Sequence, residues 1–149
     1  MAHAFRASLE WTGATSSPAY SRDHVIRMAG KPDLIGSADK QFRGNAARHN
    51  PEELLVASLS SCHLLSYLYL CARTGITVTR YVDEAEGSLK MEGANGRFER
   101  VVLRPRVSIS TGDPAKAKEL HHEAHRLCFI ANSVNFPVDC EPVIELAAA

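Results

Sequence analysis

The chain has 149 residues, and its 17 basic and 17 acidic side chains leave no formal net charge at pH 7. A chain of this length is expected to form one domain with a substantial hydrophobic core. The balanced charge argues against binding to nucleic acid, which selects proteins with basic patches. The N-terminus lacks a basic segment followed by an apolar one, so we predict a cytoplasmic protein.

The four cysteines form no Cys-X-X-Cys pair. Cysteines of cytoplasmic proteins are more often free thiols, metal ligands or catalytic groups than structural disulfides. The spacing also lacks the strongest zinc and thioredoxin-like motifs. The sequence therefore favours reactive or buried thiols.

The first part of the chain, residues 1–38, is predicted to contain short strands. Apolar and polar residues alternate over residues 5–11 and again over 24–28, as in half-buried strands, and a third short strand is expected at 34–38. A polar connection follows up to residue 49.

A central helix is predicted over residues 50–74. Asn50 suits the N-cap, Pro51 suits the first helical position, and Gly75 suits the left-handed residue after the helix. No charged residue occurs from 54 to 72, so we expect the helix to be buried on most sides. The segment is long enough for a membrane span, but four serines, a histidine and the lack of flanking basic clusters argue against one.

The remaining pattern predicts a β-hairpin, a second helix and a last strand. The apolar parity of the first hairpin strand changes near Gly87, which predicts a β-bulge there. The predicted fold class is α+β. One sheet covers only one side of the central helix, so we expect a homodimer to cover the rest. The elements after the helix are the hairpin 76–110, the second helix 113–131 and the strand 138–146.

Two motifs carry a resemblance to a known family. The segment Asn-Pro-Glu-Glu-Leu-Leu at 50–55, followed by Cys62, and the segment Cys-Phe-Ile-Ala-Asn-Ser-Val at 128–134 resemble the OsmC/Ohr family of organic hydroperoxide resistance proteins. The resemblance covers essentially the whole chain. It implies an OsmC-like intertwined dimer, with antiparallel sheets wrapped around the central helices. It also implies a peroxidase that needs no metal or other cofactor.

The resemblance implies a role for two cysteines. Cys62 matches the cysteine that attacks the peroxide, and Cys128 matches the resolving cysteine. The implied substrate is an organic hydroperoxide, which oxidises Cys62 to a sulfenic acid. Cys128 then forms a disulfide with it, and a dithiol reductant of the lipoyl or thioredoxin type restores both thiols.

The resemblance also implies an arginine and a glutamate at the site. A thiol with a pKa of about 8.5 needs a nearby cation to react as the thiolate. Arg22 is the best match for this cation, and Glu52 matches the glutamate that holds it. Glu52 and Cys62 are ten residues apart, about 15 Å along a straight helix, so we expect Glu52 to reach the Cys62 of a partner chain. The other candidate arginines are Arg27, Arg43 and Arg48.

Two alternatives remain beside this interpretation. The chain can be a non-enzymatic dimer that binds an apolar ligand near Cys62. It can also be a metal-binding protein that uses Cys128 with His121 and His125, which are four residues apart on the second helix. Bound zinc normally needs three or four arranged ligands, so no metal site is predicted. Cys71 and Cys140 are expected to be structural, and His63 is expected to point away from the pocket.

Overall fold

The computed structural model of the chain describes residues 1–148 and contains two α-helices and nine β-strands in that range. The predicted α+β class is therefore confirmed. The internal contacts divide the chain into two compact units, one ending at Leu54 and the other beginning at Leu55.

The first unit contains a small antiparallel sheet of three strands. These are β1 (Ser8–Glu10), β2 (His24–Arg27) and β3 (Leu34–Gly36), in the order β1-β2-β3. Strand β1 is shorter than the predicted strand 5–11, and its three residues are all exposed. β1 is an edge strand that pairs only with the four-residue β2, so the alternation in its sequence has no core to face.

Helix α1 (Pro51–Arg73) begins and ends where its capping residues predict. The Asn50 side chain accepts a hydrogen bond from the Glu53 amide at 2.8 Å, and Gly75 follows the helix with a φ of 74°. Burial differs from the prediction, because the fully buried residues form a single stripe spaced by four: Leu59, His63, Tyr67 and Cys71. The expectation of burial on most sides is not met within one chain.

The predicted hairpin 76–110 consists of four strands in two sheets rather than two long strands. They are β4 (Thr77–Asp83), β5 (Glu86–Glu92), β6 (Asn95–Leu103) and β7 (Pro105–Thr111). β4 pairs with β7 and β5 pairs with β6, both antiparallel. The change in the alternation of apolar residues therefore comes from the break between β4 and β5. The pairing of β5 with β6 has a register shift between Ser88 and Leu89, beside the predicted bulge at Gly87.

A side-chain contact holds the chain at this break. Oδ1 of Asp83, the last residue of β4, accepts a hydrogen bond from the Arg104 amide at 2.6 Å. Arg104 lies between β6 and β7, which belong to different sheets. The chain therefore passes from one sheet to the other here, beside the break between β4 and β5.

The C-terminal elements also differ from their predicted limits. Helix α2 (Pro114–Leu127) ends four residues before the predicted limit of 131, because Cys128 adopts an extended backbone as its C-cap. The predicted strand 138–146 is interrupted before Pro142, which has no amide hydrogen to donate. The two resulting strands are β8 (Val138–Cys140), parallel to β6, and β9 (Val143–Leu146), parallel to β7.

Two apolar clusters form the core of the second unit. Leu59 of α1 packs with Val101 and Leu103 of β6. Further along α1, Tyr67 and Cys71 join the β7 and α2 side chains of the larger cluster. The middle of α1, between the two clusters, contains Cys62.

Candidate functional site

Cys62 lies in the middle of α1 and is partly buried. It is a free thiol, as are the other three cysteines. It is about three turns from the start of the helix, so the helix dipole contributes little to its reactivity. Any activation of this thiol has to come from neighbouring groups.

Cys128 lies at the C-terminal cap of α2 and is 1% exposed. Its Sγ accepts a hydrogen bond from the Ala131 amide at 3.4 Å, which fixes the thiol in the turn after the helix. Burial raises the pKa of the Cys128 thiol to about 11, and the neighbouring Cys62 thiol contributes to the rise. The fold thus brings Cys62 and Cys128 together from two helices.

Glu52 and Arg22 belong to the first unit. Glu52 lies in the first turn of α1, and its Oε2 is buried without a hydrogen-bond partner among residues 1–148. Arg22 donates hydrogen bonds to the Pro18 and Tyr20 carbonyls, and its guanidinium lies 3.9 Å from the centre of the Tyr20 ring. Within the described residues neither Arg22 nor Glu52 forms an ion pair, so their predicted pairing is not present in one chain.

The other candidate arginines have local roles in the same unit. Arg27 pairs with Glu10 and Asp33, and Arg48 pairs with Asp23 at 3.8 Å. Arg43 follows a short 3₁₀ helix in a left-handed conformation with a φ of 65°.

A second group of polar side chains, which we call the histidine–cysteine cluster, includes the residue that follows Cys62 in the sequence. It consists of His63 of α1, His121 of α2 and Cys140 of β8, whose ligand atoms lie within 4.8 Å of one another. His63 Nε2 is 2.9 Å from His121 Nδ1 and 3.8 Å from Cys140 Sγ. No local sequence pattern indicates this cluster, since His121 and Cys140 are 58 and 77 residues from His63 along the chain.

Burial keeps the cluster uncharged. It lowers the pKa of His63 to about 4 and that of His121 to about 3. It also raises the pKa of Cys140 to about 12, with a further contribution from the Asp83 carboxylate. At neutral pH the two imidazoles are neutral and the thiol keeps its proton.

The cluster corrects the expected metal-ligand set. His63 was expected to point away from the Cys62 pocket, and its ring lies in the core against His121 of α2, with an exposed fraction of 1%. His121 pairs with His63, and not with His125 and Cys128 as the metal-binding alternative supposed. His125 is exposed. The three potential ligands that do converge therefore come from three elements instead of one helix.

Comparison with known proteins identifies the fold. The sequence model of the family described as OsmC-like protein matches residues 44–142. The structure is similar to an OsmC-like protein of unknown function from Vibrio cholerae O1 biovar eltor str. N16961. That protein is 34% identical with a TM-score of 0.87, over 95% of this chain and 100% of that one.

More distant relatives share the architecture. An organic hydroperoxide resistance protein from Elizabethkingia anophelis is 17% identical with a TM-score of 0.70, over 99% of each chain. The uncharacterized protein YmaD of Bacillus subtilis (strain 168) is 23% identical over 109 residues, which is 70% of this chain and 73% of YmaD.

Proposed function

The chain belongs to the family of OsmC-like proteins, and on this basis we propose that it reduces organic hydroperoxides to alcohols with Cys62 and Cys128. The observation that carries the proposal is the proximity of the two thiols: Cys62 of α1 contributes to the raised pKa of Cys128, which lies at the C-terminal cap of α2. The Elizabethkingia relative is named an organic hydroperoxide resistance protein, which is consistent with the same chemistry.

The first step of the proposed cycle is attack on the peroxide by Cys62. Its thiolate sulfur takes the terminal oxygen of the hydroperoxide as the O–O bond breaks, and the alcohol leaves with one proton. The sulfur is oxidised to a sulfenic acid and the peroxide is reduced. The partly buried position of Cys62 on an apolar helix favours an alkyl hydroperoxide over hydrogen peroxide.

The second step forms a disulfide. Cys128 Sγ displaces hydroxide from the Cys62 sulfenic acid, and the hydroxide leaves as water with the thiol proton. Burial and the high pKa of Cys128 keep this thiol protonated and unreactive until the sulfenic acid forms beside it. A dithiol reductant then attacks the disulfide, and its own oxidation to a disulfide returns both thiols.

Arginine and glutamate complete the proposed site through a homodimer. Arg22 supplies the positive charge that favours the thiolate, and a carboxylate holds its guanidinium by a two-point contact. Glu52 is the proposed carboxylate, acting at the Cys62 of a partner chain. Its buried Oε2, which lacks a partner within residues 1–148, is consistent with a group that is completed by another chain.

The test is a thiol count and intact mass after one equivalent of cumene hydroperoxide. We expect the wild type to lose two thiols, Cys128→Ser to accumulate a sulfenic acid on Cys62, and Cys62→Ser to remain unoxidised. Cys71→Ser is the matched control and should behave as wild type. Four unchanged thiols in the wild type would contradict the proposal and favour a dimer that binds an apolar ligand near Cys62.

A further inference from the structure

We propose that the histidine–cysteine cluster is a metal site, in which His63, His121 and Cys140 bind one Zn²⁺ ion. Two imidazoles and one thiolate form a ligand set that zinc prefers, and three protein ligands leave a fourth position for water. The ligands come from α1, α2 and β8, so the ion would link three elements of the second unit. The inference does not depend on the peroxidase proposal.

The distances fit a zinc ion with small adjustments. Tetrahedral zinc with ordinary bond lengths places two nitrogen ligands about 3.3 Å apart and a nitrogen and a sulfur about 3.6 Å apart. The corresponding distances here are 2.9 Å between the His63 and His121 nitrogens and 3.8 Å from His63 Nε2 to Cys140 Sγ. These two distances therefore differ from the zinc values by less than about half an ångström. The third pair, His121 and Cys140, has its ligand atoms within 4.8 Å, and the two rings, now 6° from parallel, would tilt so that both lone pairs point at the ion.

The imidazoles are held in place without being committed to other partners. His121 stacks on the Tyr67 ring, with centroids 3.9 Å apart and planes 8° from parallel. The Tyr67 hydroxyl donates to the Ala117 carbonyl at 2.8 Å, which anchors that ring to α2. His63 Nδ1 and His121 Nε2 are buried without partners among the described residues, and each can carry the proton of its ring. In that pair of tautomers His63 Nε2 and His121 Nδ1 both present a lone pair, and the ion would replace the hydrogen bond between them.

The surrounding charge suits a divalent cation. Zinc and the Cys140 thiolate together carry one positive charge, and a buried charge needs a counter-ion. The Asp83 carboxylate is near enough to act on both His63 and Cys140. Its two oxygens are already held by the Ser60 hydroxyl and the Arg104 amide, each at 2.6 Å. Asp83 can therefore balance the positive charge of the zinc–thiolate pair without binding the ion itself.

An entry path leads to the cluster. A cavity of about 700 Å³ is lined by His121 and Cys140 and opens to solvent past the exposed His122 and His125. The thiol proton would leave through this cavity when Cys140 binds the ion, since a coordinating thiol is deprotonated.

Metal binding is tested on the full-length protein after removal of metals with a chelator. We expect one Zn²⁺ per chain by titration against a chromophoric chelator. Co²⁺ in its place should show tetrahedral visible bands and a thiolate-to-cobalt charge-transfer band. In Cys140→Ser the charge-transfer band should vanish and the Zn²⁺ affinity should fall at least about 10-fold. His122→Ala and His125→Ala are matched controls and should bind as wild type.

Protection of cysteines from alkylation in the wild type tests the proposal even if the variants fail to fold. Zn²⁺ should slow alkylation of Cys140, measured by peptide mass spectrometry, and leave alkylation of Cys62 and Cys71 unchanged. The same protection is expected in Cys62→Ser, which separates this proposal from the peroxidase proposal. Unprotected Cys140, binding of less than one ion per chain, or a cobalt spectrum without the thiolate band would overturn the metal site.

Discussion

His63 Nε2 and His121 Nδ1 are 2.9 Å apart in the core of the second unit, and their rings are within 6° of parallel. The other nitrogen of each ring is buried and has no partner among residues 1–148. The His121 ring has no other side-chain hydrogen bond among these residues, whereas His63 Nε2 also contacts Cys140 Sγ at 3.8 Å. Loss of His63 therefore leaves His121 Nδ1 buried and unpaired, which is costly in a protein interior.

His63→Ala is expected to destabilise the metal-free protein by about 2–4 kcal/mol, because it opens a cavity and also leaves His121 Nδ1 unpaired. Urea unfolding followed by circular dichroism measures the change in free energy of unfolding. The control is His122→Ala, an exposed position on α2, where we expect a change within about 0.5 kcal/mol. Equal effects of the two substitutions would contradict the importance of the buried pair.

Tyr67→Phe is expected to cost about 1–2 kcal/mol, because it removes the hydroxyl that donates to the Ala117 carbonyl and leaves that carbonyl buried. The ring itself remains stacked on His121, so far less is lost than in Tyr67→Ala. Tyr81→Phe is the matched control, since the Tyr81 hydroxyl is buried without a hydrogen-bond partner among the described residues. A destabilisation by Tyr81→Phe as large as that by Tyr67→Phe would show that the hydrogen bond is not its cause.

The Cys128 thiol should make the folded protein sensitive to alkaline pH. The folded-state pKa of about 11 lies above the reference value of 9.0. The folded state therefore keeps a proton that the unfolded chain loses. The stabilisation is complete below about pH 9 and is lost as the pH rises toward about 11.

Urea unfolding at pH 8 to 11 should therefore show a steeper alkaline loss of stability in wild type than in Cys128→Ser. In Cys62→Ala the pKa of Cys128, measured from its alkylation rate against pH, should fall but stay raised, because burial is its larger cause. Identical pH profiles for wild type and Cys128→Ser would contradict this assignment.

The features that depend on neighbouring residues could be predicted from the sequence. Asn50 and Gly75 determine the limits of α1 through a side-chain cap and a left-handed turn, so the predicted helix 50–74 agrees closely with Pro51–Arg73. The two cysteine motifs likewise identified Cys62 and Cys128, which the fold brings together. Their catalytic roles, and those of Arg22 and Glu52, remain predictions.

The features that depend on distant residues could not be predicted. The break between β4 and β5 is held by the hydrogen bond from the Arg104 amide to Asp83, 21 residues earlier in the chain. The alternation of apolar residues does not indicate this contact. His63 was expected to point away because it lies about 100° round the helix from Cys62. That direction is occupied by His121 of α2, and only the packing of the two helices could reveal it.

Helix α1 has an apolar surface outside its buried stripe. The helix is long and apolar enough to cross a membrane, with a mean hydropathy of 1.6, but buried core helices meet the same criterion. Only 22% of the residues in that window are buried within one chain, and Leu65 and Tyr69 are 64% and 56% exposed. An apolar face of this kind indicates an interaction surface. We expect a second copy of the chain to cover it.

Leu65→Glu should therefore convert the protein from dimer to monomer, because it places a charge in the proposed interface, where it cannot be solvated. Sedimentation velocity measures the change, and peroxidase turnover should fall with it if Glu52 acts on the partner's Cys62. Met91→Glu, an exposed apolar position on β5, is the control for a non-specific effect of charge and should leave the mass unchanged. A wild-type protein that sediments as a monomer, or that floats with lipid vesicles, would contradict the dimer and leave the face to a different partner.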